Sequence, residues 1–209
     1  MIFGKIDYLN LLPFHTFMKR YSNARYKNGV PSYINNEFLS KRVDGAFISS
    51  VKAKKHNHLN LGIIAKKEVL SVLVIPHNST KNDTASATSN KLAQILNIQG
   101  EVIIGDKALR YYIQNRPFID LADEWHKRYN LPFVFALLCY HKDKNVYKKI
   151  EKYFLKQNLK IPQYILKQAS IKTNIEKKEI LNYLNYISYT LDIKAKKGLK
   201  LFQRLSRYN

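Results

Sequence analysis

Strand-like and helix-like patterns alternate along this chain, which restricts it to a sheet covered by helices. Ile2 to Tyr8 reads as a strand, Pro13 to Tyr21 as a short helix, and Ser32 to Lys41, apolar at Tyr33, Ile34, Phe38 and Leu39, as another helix. Gly45 to Val51, Leu59 to Ala65 and Leu70 to Pro76 then read as strands. That order argues for a largely parallel sheet flanked by helices. The polar stretch His77 to Thr84 interrupts it and reads as a crossing point. Beyond it come a helix near Ser89 to Leu96, the strand Glu101 to Asp106, a helix from Ala108 to about Gln114 and a short strand Phe118 to Leu121. The apolar run Pro132 to Tyr140 then resumes the main pattern. A small lobe at 77–131, inserted into a large lobe made of 1–76 and 132–209, fits this order better than two consecutive domains. The cleft between the lobes is the default ligand site.

Charge is the loudest compositional feature. Lys and Arg number 36 against 15 Asp and Glu, a formal net charge of +21. Residues 141–209 hold 17 Lys and Arg against 5 Asp and Glu, so +12 of the total sits in segments that read as amphipathic helices. In Asn145 to Phe154, for example, Val146, Ile150, Tyr153 and Phe154 make an apolar stripe and the lysines take the other face. That is a solvated surface pattern. No zinc-finger spacing, RNP-like strand or basic zipper accompanies it, so nucleic acid is not an expected partner. A small anion would gain from the same field.

No run of about 18 apolar residues is present, so no membrane insertion is expected. Met1 to Phe14 lacks the basic n-region of a signal peptide, and Lys5, Asp7 and Asn10 interrupt its apolar character. The one cysteine, Cys139, lies in an apolar run and offers no disulfide framework, so a cytoplasmic location is expected. His56 and His58 sit in a polar loop without Cys, Asp or Glu beside them and lack i, i+4 spacing, so no metal is expected there. His15, near Pro13, could border the cleft or simply lie at the surface.

Asn10 and Pro13 follow the first strand directly. That puts an amide at a strand's carboxyl end, where open α/β sheets bind ligands, although Asn is also an ordinary turn residue and Pro13 an ordinary helix start.

Several phrases occur in order: Gly4-Lys5-Ile6-Asp7-Tyr8-Leu9-Asn10, Val43 to Ser50, Ser86-Ala87-Thr88-Ser89, Ile104-Gly105-Asp106-Lys107-Ala108-Leu109, and Leu131-Pro132-Phe133-Val134-Phe135-Ala136. Together they resemble the chorismate dehydratase family, which opens the futalosine route to menaquinone. The tail Tyr183 to Asp192, followed by Gly198 to Phe202, resembles that family's C-terminal helices. The resemblance implies an α/β fold of two lobes like the type II periplasmic binding proteins, with mixed sheets flanked by helices and the ligand between the lobes. It implies removal of water from chorismate to give 3-(1-carboxyvinyloxy)benzoate. No cofactor is implied, because losing one hydroxyl and one ring proton changes no overall oxidation state.

Chorismate carries two carboxylates, so its site needs hydroxyl and backbone N–H donors at strand ends and helix starts. Ser49 and Ser50 end a strand, Ser71 starts one, and Ser86, Thr88 and Ser89 precede a helix, where each could equally be a cap. With Gly105 and Asn10 they form the expected substrate-binding set; Asn10 and Ser71 match the family's substrate-contacting positions. Asn10 and Asp106 are the catalytic candidates. Asn10 would position the reacting groups while the substrate's own side-chain carboxylate takes the ring proton. Asp106, at a strand end, could act as base or cap the next helix. Trp125 matches the family too and reads as packing of the small lobe.

The segments between Ile75 and Ser86 and between Leu96 and Glu101 are shorter than the family leads one to expect. A trimmed small lobe keeps two alternatives open: a non-catalytic cytoplasmic binding protein for a carboxylated metabolite, and the related lyase that acts later in the futalosine route. That lyase is expected to use a small-lobe histidine, for which this chain offers His126 besides His77.

Overall fold

The computed structural model describes residues 1–157 and 160–207. Among these residues the strands form two sheets. The larger contains β1 (Ile2–Lys5), β2 (Arg25–Asn28), β3 (Gly45–Ser49), β4 (His58–Ala65), β8 (Phe133–Tyr140) and β9 (Ile187–Thr190), in the order β2-β1-β3-β8-β4-β9. The smaller contains β5 (Val72–Ile75), β6 (Glu101–Ile104) and β7 (Ile119–Asp120), in the order β6-β5-β7. β1 pairs parallel with β2 and β3, whereas β8 pairs antiparallel with β3 and β4, and β4 antiparallel with β9. Both pairings of the smaller sheet are antiparallel. The fold is therefore α/β with mixed sheets, and the expectation of a largely parallel sheet was wrong. The antiparallel β3–β8 pair joins strands more than eighty residues apart, and such pairing leaves no local mark on the sequence.

β8 explains the apolar run. All eight of its residues are buried, with helices packed over the strand and neighbouring strands on both edges. On one face, α1 (Leu12–Tyr21) and α7 (Lys144–Lys156) close over an aromatic cluster in which Phe14 meets Phe47 and Phe154 at 4.9 and 5.2 Å between ring centroids. The stripe of α7 is offset by one position from the reading above. Tyr147, Ile150 and Phe154 are buried, and Val146 and Tyr153 are about half exposed.

The smaller sheet carries α4 (Ala87–Leu96), α5 (Gly105–Ile113) and α6 (Leu121–Tyr129). Its central strand is β5, which the expected lobe boundary at residue 76 assigns to the larger lobe. By pairing, the chain leaves the larger sheet after Ala65 and enters the smaller one at Val72. Asp120 governs that crossing. One carboxylate oxygen accepts the N–H groups of Val69 and Leu70 at 2.9 and 2.7 Å; the other caps α6 through Ala122 and Asp123 at 2.9 and 3.1 Å. Leu70 has φ of 61°, in the left-handed region, and this clamp holds it there.

Trp125 does more than pack the smaller lobe. On α6 it meets Phe133 of β8 and Phe202 of α10 (Ile193–Leu205) edge-on, at 5.2 and 6.1 Å, so it joins the smaller sheet's helices to the larger sheet. The tail read as helical contains α9 (Lys177–Leu184) and α10 but also the edge strand β9 between them.

Candidate ligand cleft

Two cavities meet at Tyr8. The first, about 70 Å³, lies between the sheets and brings together Asn10, Ser49, Ser71, Ser86, Thr88, Ser89 and Gly105, on walls that include Ile6, Phe47 and Phe135. The second, about 460 Å³, opens on the other side of Tyr8 between α1 and α8 (Gln163–Thr173), with Lys5, Asp7, His15, Lys19, Asp106 and Lys172 among its lining. The smaller cavity gathers the convergent polar groups, and size alone does not make the other a candidate site.

Local structure explains why these side chains converge. Asn10 lies on a single 3-10 turn (Leu9–Leu11) that ends β1 and leads into α1, whose Pro13 occupies the first helical turn. Tyr189 of β9 donates its hydroxyl to the Asn10 carbonyl at 2.5 Å, fixing the backbone, while the side-chain Oδ1 is buried with no partner among the described residues. A buried amide oxygen without a partner is costly, and a ligand donor in the cleft would satisfy it. Ser86 caps α4, accepting the Ser89 N–H at 3.2 Å and donating its own proton to Ser89 Oγ at 2.7 Å. The cap reading and the binding reading of this segment therefore coincide. Gly105 opens α5 with φ of 64°, and a Cβ there would lie 2.9 Å from Tyr8 ring atoms. The starts of both helices line the same cavity, and helix N-termini favour negative charge.

Two expected residues are not on this wall. Ser50 is fully buried as the first residue of α3 (Ser50–Ala53), where its hydroxyl lies 3.5 Å from Thr88 Oγ1 and its carbonyl accepts from Gln203. It supports Thr88 from behind. Asp106 faces the other cavity, where its carboxylate accepts the Leu9 N–H at 3.0 Å. The left-handed turn at Gly105 carries the chain past Tyr8, so the next side chain emerges on the far side of that ring. Burial raises the Asp106 pKa, but the group ties α5 to the Asn10 turn and does not face the serines.

His15 also lines the larger cavity. Its Nε2 donates to the Ile6 carbonyl at 2.9 Å, and burial pulls its pKa down to about 4. The unfolded chain takes up a proton near pH 6.5 that the folded chain refuses, so stability is full above that pH and falls as pH drops toward 4. Urea titrations across this window should show that loss in the wild type and a flatter profile in His15→Gln; equal slopes would contradict the assignment. His56 packs edge-on against Phe38, and His58 bonds the Leu59 carbonyl. Among the described residues no group of three or more His, Cys, Asp or Glu side chains could hold a metal ion, and no helix is long and apolar enough to cross a membrane. His126 lies on α6 and is not among the residues lining either cavity at Tyr8.

Sequence reasoning missed Asn35, Tyr183 and Tyr189. Asn35 of α2 (Pro31–Leu39) accepts the Ser49 N–H at 3.1 Å and donates to Ser49 Oγ at 3.2 Å. Tyr183 donates to Ser71 Oγ at 2.8 Å. None carries a local signal, because each acts across a long sequence separation on a residue that does.

Comparison with known proteins adds identity to this geometry. Archaeoglobus fulgidus protein AF1704 superposes with a TM-score of 0.75 at 11% identity, covering 99% of this chain and 96% of that one. The periplasmic aliphatic sulphonate binding protein SsuA of Escherichia coli gives 0.61 at 12% identity, covering 100% and 92%. Identities this low show the fold alone, which is periplasmic-binding-protein-like. A chorismate dehydratase of Campylobacter jejuni subsp. jejuni serotype O:23/36 (strain 81-176) is 45% identical over 97% of this chain and 96% of its own length. Another, from Thermus thermophilus, is 26% identical over 68% of this chain and 70% of its own. Near end-to-end coverage of the Campylobacter protein means that the short smaller lobe is not peculiar to this chain. A family model described as menaquinone biosynthesis matches residues 1–99 and 87–208, and the chain belongs to that family.

Proposed function

We propose that the protein is a chorismate dehydratase, a hydro-lyase that removes water from chorismate to give 3-(1-carboxyvinyloxy)benzoate in menaquinone biosynthesis. The observation that carries this reading is the convergence of Asn10, Ser49, Ser71, Thr88 and two helix starts on one cleft, in a chain 45% identical to a chorismate dehydratase. Hydroxyls and helix N-termini suit the two carboxylates of the substrate. The Asn10 amide then has reacting groups to hold.

The chemistry needs little from the protein beyond orientation. One ring C–H bond breaks and its proton passes to the substrate's own side-chain carboxylate. The C–H electron pair enters the ring, the C–O bond to the hydroxyl breaks, and water leaves with the transferred proton. Aromatisation supplies the driving force. Among the described residues no carboxylate, histidine or cysteine lines the cleft, which supports a substrate-borne base. Asn10 acts by holding the hydroxyl and the side chain in reacting geometry. Cys139, buried in β8 with its thiol pKa pushed up to about 12 by burial, serves as core, and a cytoplasmic setting suits it.

Incubation of the purified protein with chorismate tests the proposal: the aromatic enol ether should accumulate, identified by its absorbance and by a mass lower by one water. Binding without turnover would instead favour a carrier of carboxylated metabolites.

A further inference from the structure

We propose that Asn35 and Tyr183 are positioning residues that make Ser49 and Ser71 hydrogen-bond donors toward the cleft, so that the two serines bracket a carboxylate-bearing ligand. A serine hydroxyl has one proton to give and two lone pairs to receive with. At Ser49 one of those lone pairs is taken. Asn35 Oδ1 accepts the Ser49 N–H at 3.1 Å, which fixes the amide orientation and turns its Nδ2 toward Ser49 Oγ at 3.2 Å. An amide nitrogen can only donate, so the Ser49 proton is left free.

Ser71 is arranged in the same way from the opposite side. Tyr183 sits on α9, is 2% exposed, and places its hydroxyl 2.8 Å from Ser71 Oγ. A phenol is a stronger acid than an alcohol, so Tyr183 donates and Ser71 accepts. The Ser71 carbonyl also accepts the Gly105 N–H at 2.8 Å, which ties the same residue to the start of α5. Neither Asn35 nor Tyr183 lines the cleft; both serines do. Each buried partner therefore acts only through its serine.

The result is a cleft whose hydroxyls are set to give protons before any ligand arrives. Two donors aimed inward beside two helix starts favour an anion over a neutral alcohol, which would have to supply acceptors without the charge. The identity of the anion rests on the function proposed above; the donor geometry does not.

A double-mutant cycle tests the coupling. With chorismate as substrate, Tyr183→Phe should raise KM about five- to tenfold, the loss expected for one hydrogen bond acting through another residue. Ser71→Ala should cost more, and adding Tyr183→Phe to Ser71→Ala should change KM by less than about twofold. Additive losses would overturn the proposal, because a merely structural Tyr183 would harm both backgrounds alike. If the wild type binds chorismate without converting it, the catalytic reading fails and the same cycle on Kd decides the positioning. A second measurement needs no Tyr183 variant and no ligand. Buried and bonded, the Tyr183 hydroxyl proton should give a protected NMR resonance in the wild type that disappears in Ser71→Ala; its persistence there, or its absence from the wild type, would overturn the proposal.

Discussion

Alanine at position 10 is expected to lower kcat for chorismate by about 10²- to 10³-fold, the usual loss when one preorganised polar group is removed from a reacting centre. KM should move far less. Asn10 is held rigidly: its turn is fixed by the Tyr189 hydroxyl on its carbonyl, and Asp106 grips the neighbouring Leu9 N–H. Its side-chain oxygen is buried with no protein partner among the described residues, so in the proposed reading it is open to the substrate. Removing it costs no internal side-chain bond, so the melting temperature should stay close to that of the wild type. Asp106→Asn is the control. An asparagine keeps an acceptor for the Leu9 N–H and removes a carboxylate that burial disfavours, so kcat should stay within a few-fold. Loss of turnover in Asp106→Asn with a mild Asn10→Ala would reverse the assignment.

Asp120→Ala should be the most damaging substitution for stability, at about 3–5 kcal/mol. The carboxylate receives four backbone N–H groups, two from the crossing at Val69 and Leu70 and two from the first turn of α6. Alanine would leave the crossing donors unpaired in a buried site and strip the helix of its cap. Leu70, in the left-handed region, would also lose the clamp that keeps it there. Ser71 follows directly, so chorismate affinity should fall along with stability. For a chain of this size the predicted cost is a drop in melting temperature of about 10 °C or more, measurable by circular dichroism. Asp120→Asn, which keeps one acceptor oxygen, should fall between. A shift under about 3 °C for Asp120→Ala would show that the crossing is held by other contacts.

What the sequence made legible was what local pattern encodes. The apolar run of β8, the cap at Ser86 and the strand end before Asn10 all sit where their neighbours place them. The antiparallel pairings of β8 were hidden because partners distant along the chain decide them. β2 and β9 were hidden for another reason: both are edge strands. β2 is mostly exposed and carries no alternation, while β9 alternates as Ile187-Ser188-Tyr189-Thr190 but is only four residues long, too short to stand out within a tail read as helical. Of the two roles open to Asp106, the sequence could not choose, because the positive φ at Gly105 that turns its side chain toward Leu9 and the other cavity leaves no periodicity. Asn35, Tyr183 and Tyr189 were invisible for the most general reason. A residue that orients another is ordinary in its own segment and becomes functional only through the fold.

The proposed reaction is dehydration of chorismate, with its own carboxylate as base, in a cleft built from hydroxyls, helix starts and one amide. Its most direct test is a side-by-side incubation of wild type, Asn10→Ala and Asp106→Asn with chorismate, followed by absorbance and mass. The wild type and Asp106→Asn should yield 3-(1-carboxyvinyloxy)benzoate, and Asn10→Ala almost none. Unchanged chorismate with the wild type, or equal product from wild type and Asn10→Ala, would contradict it.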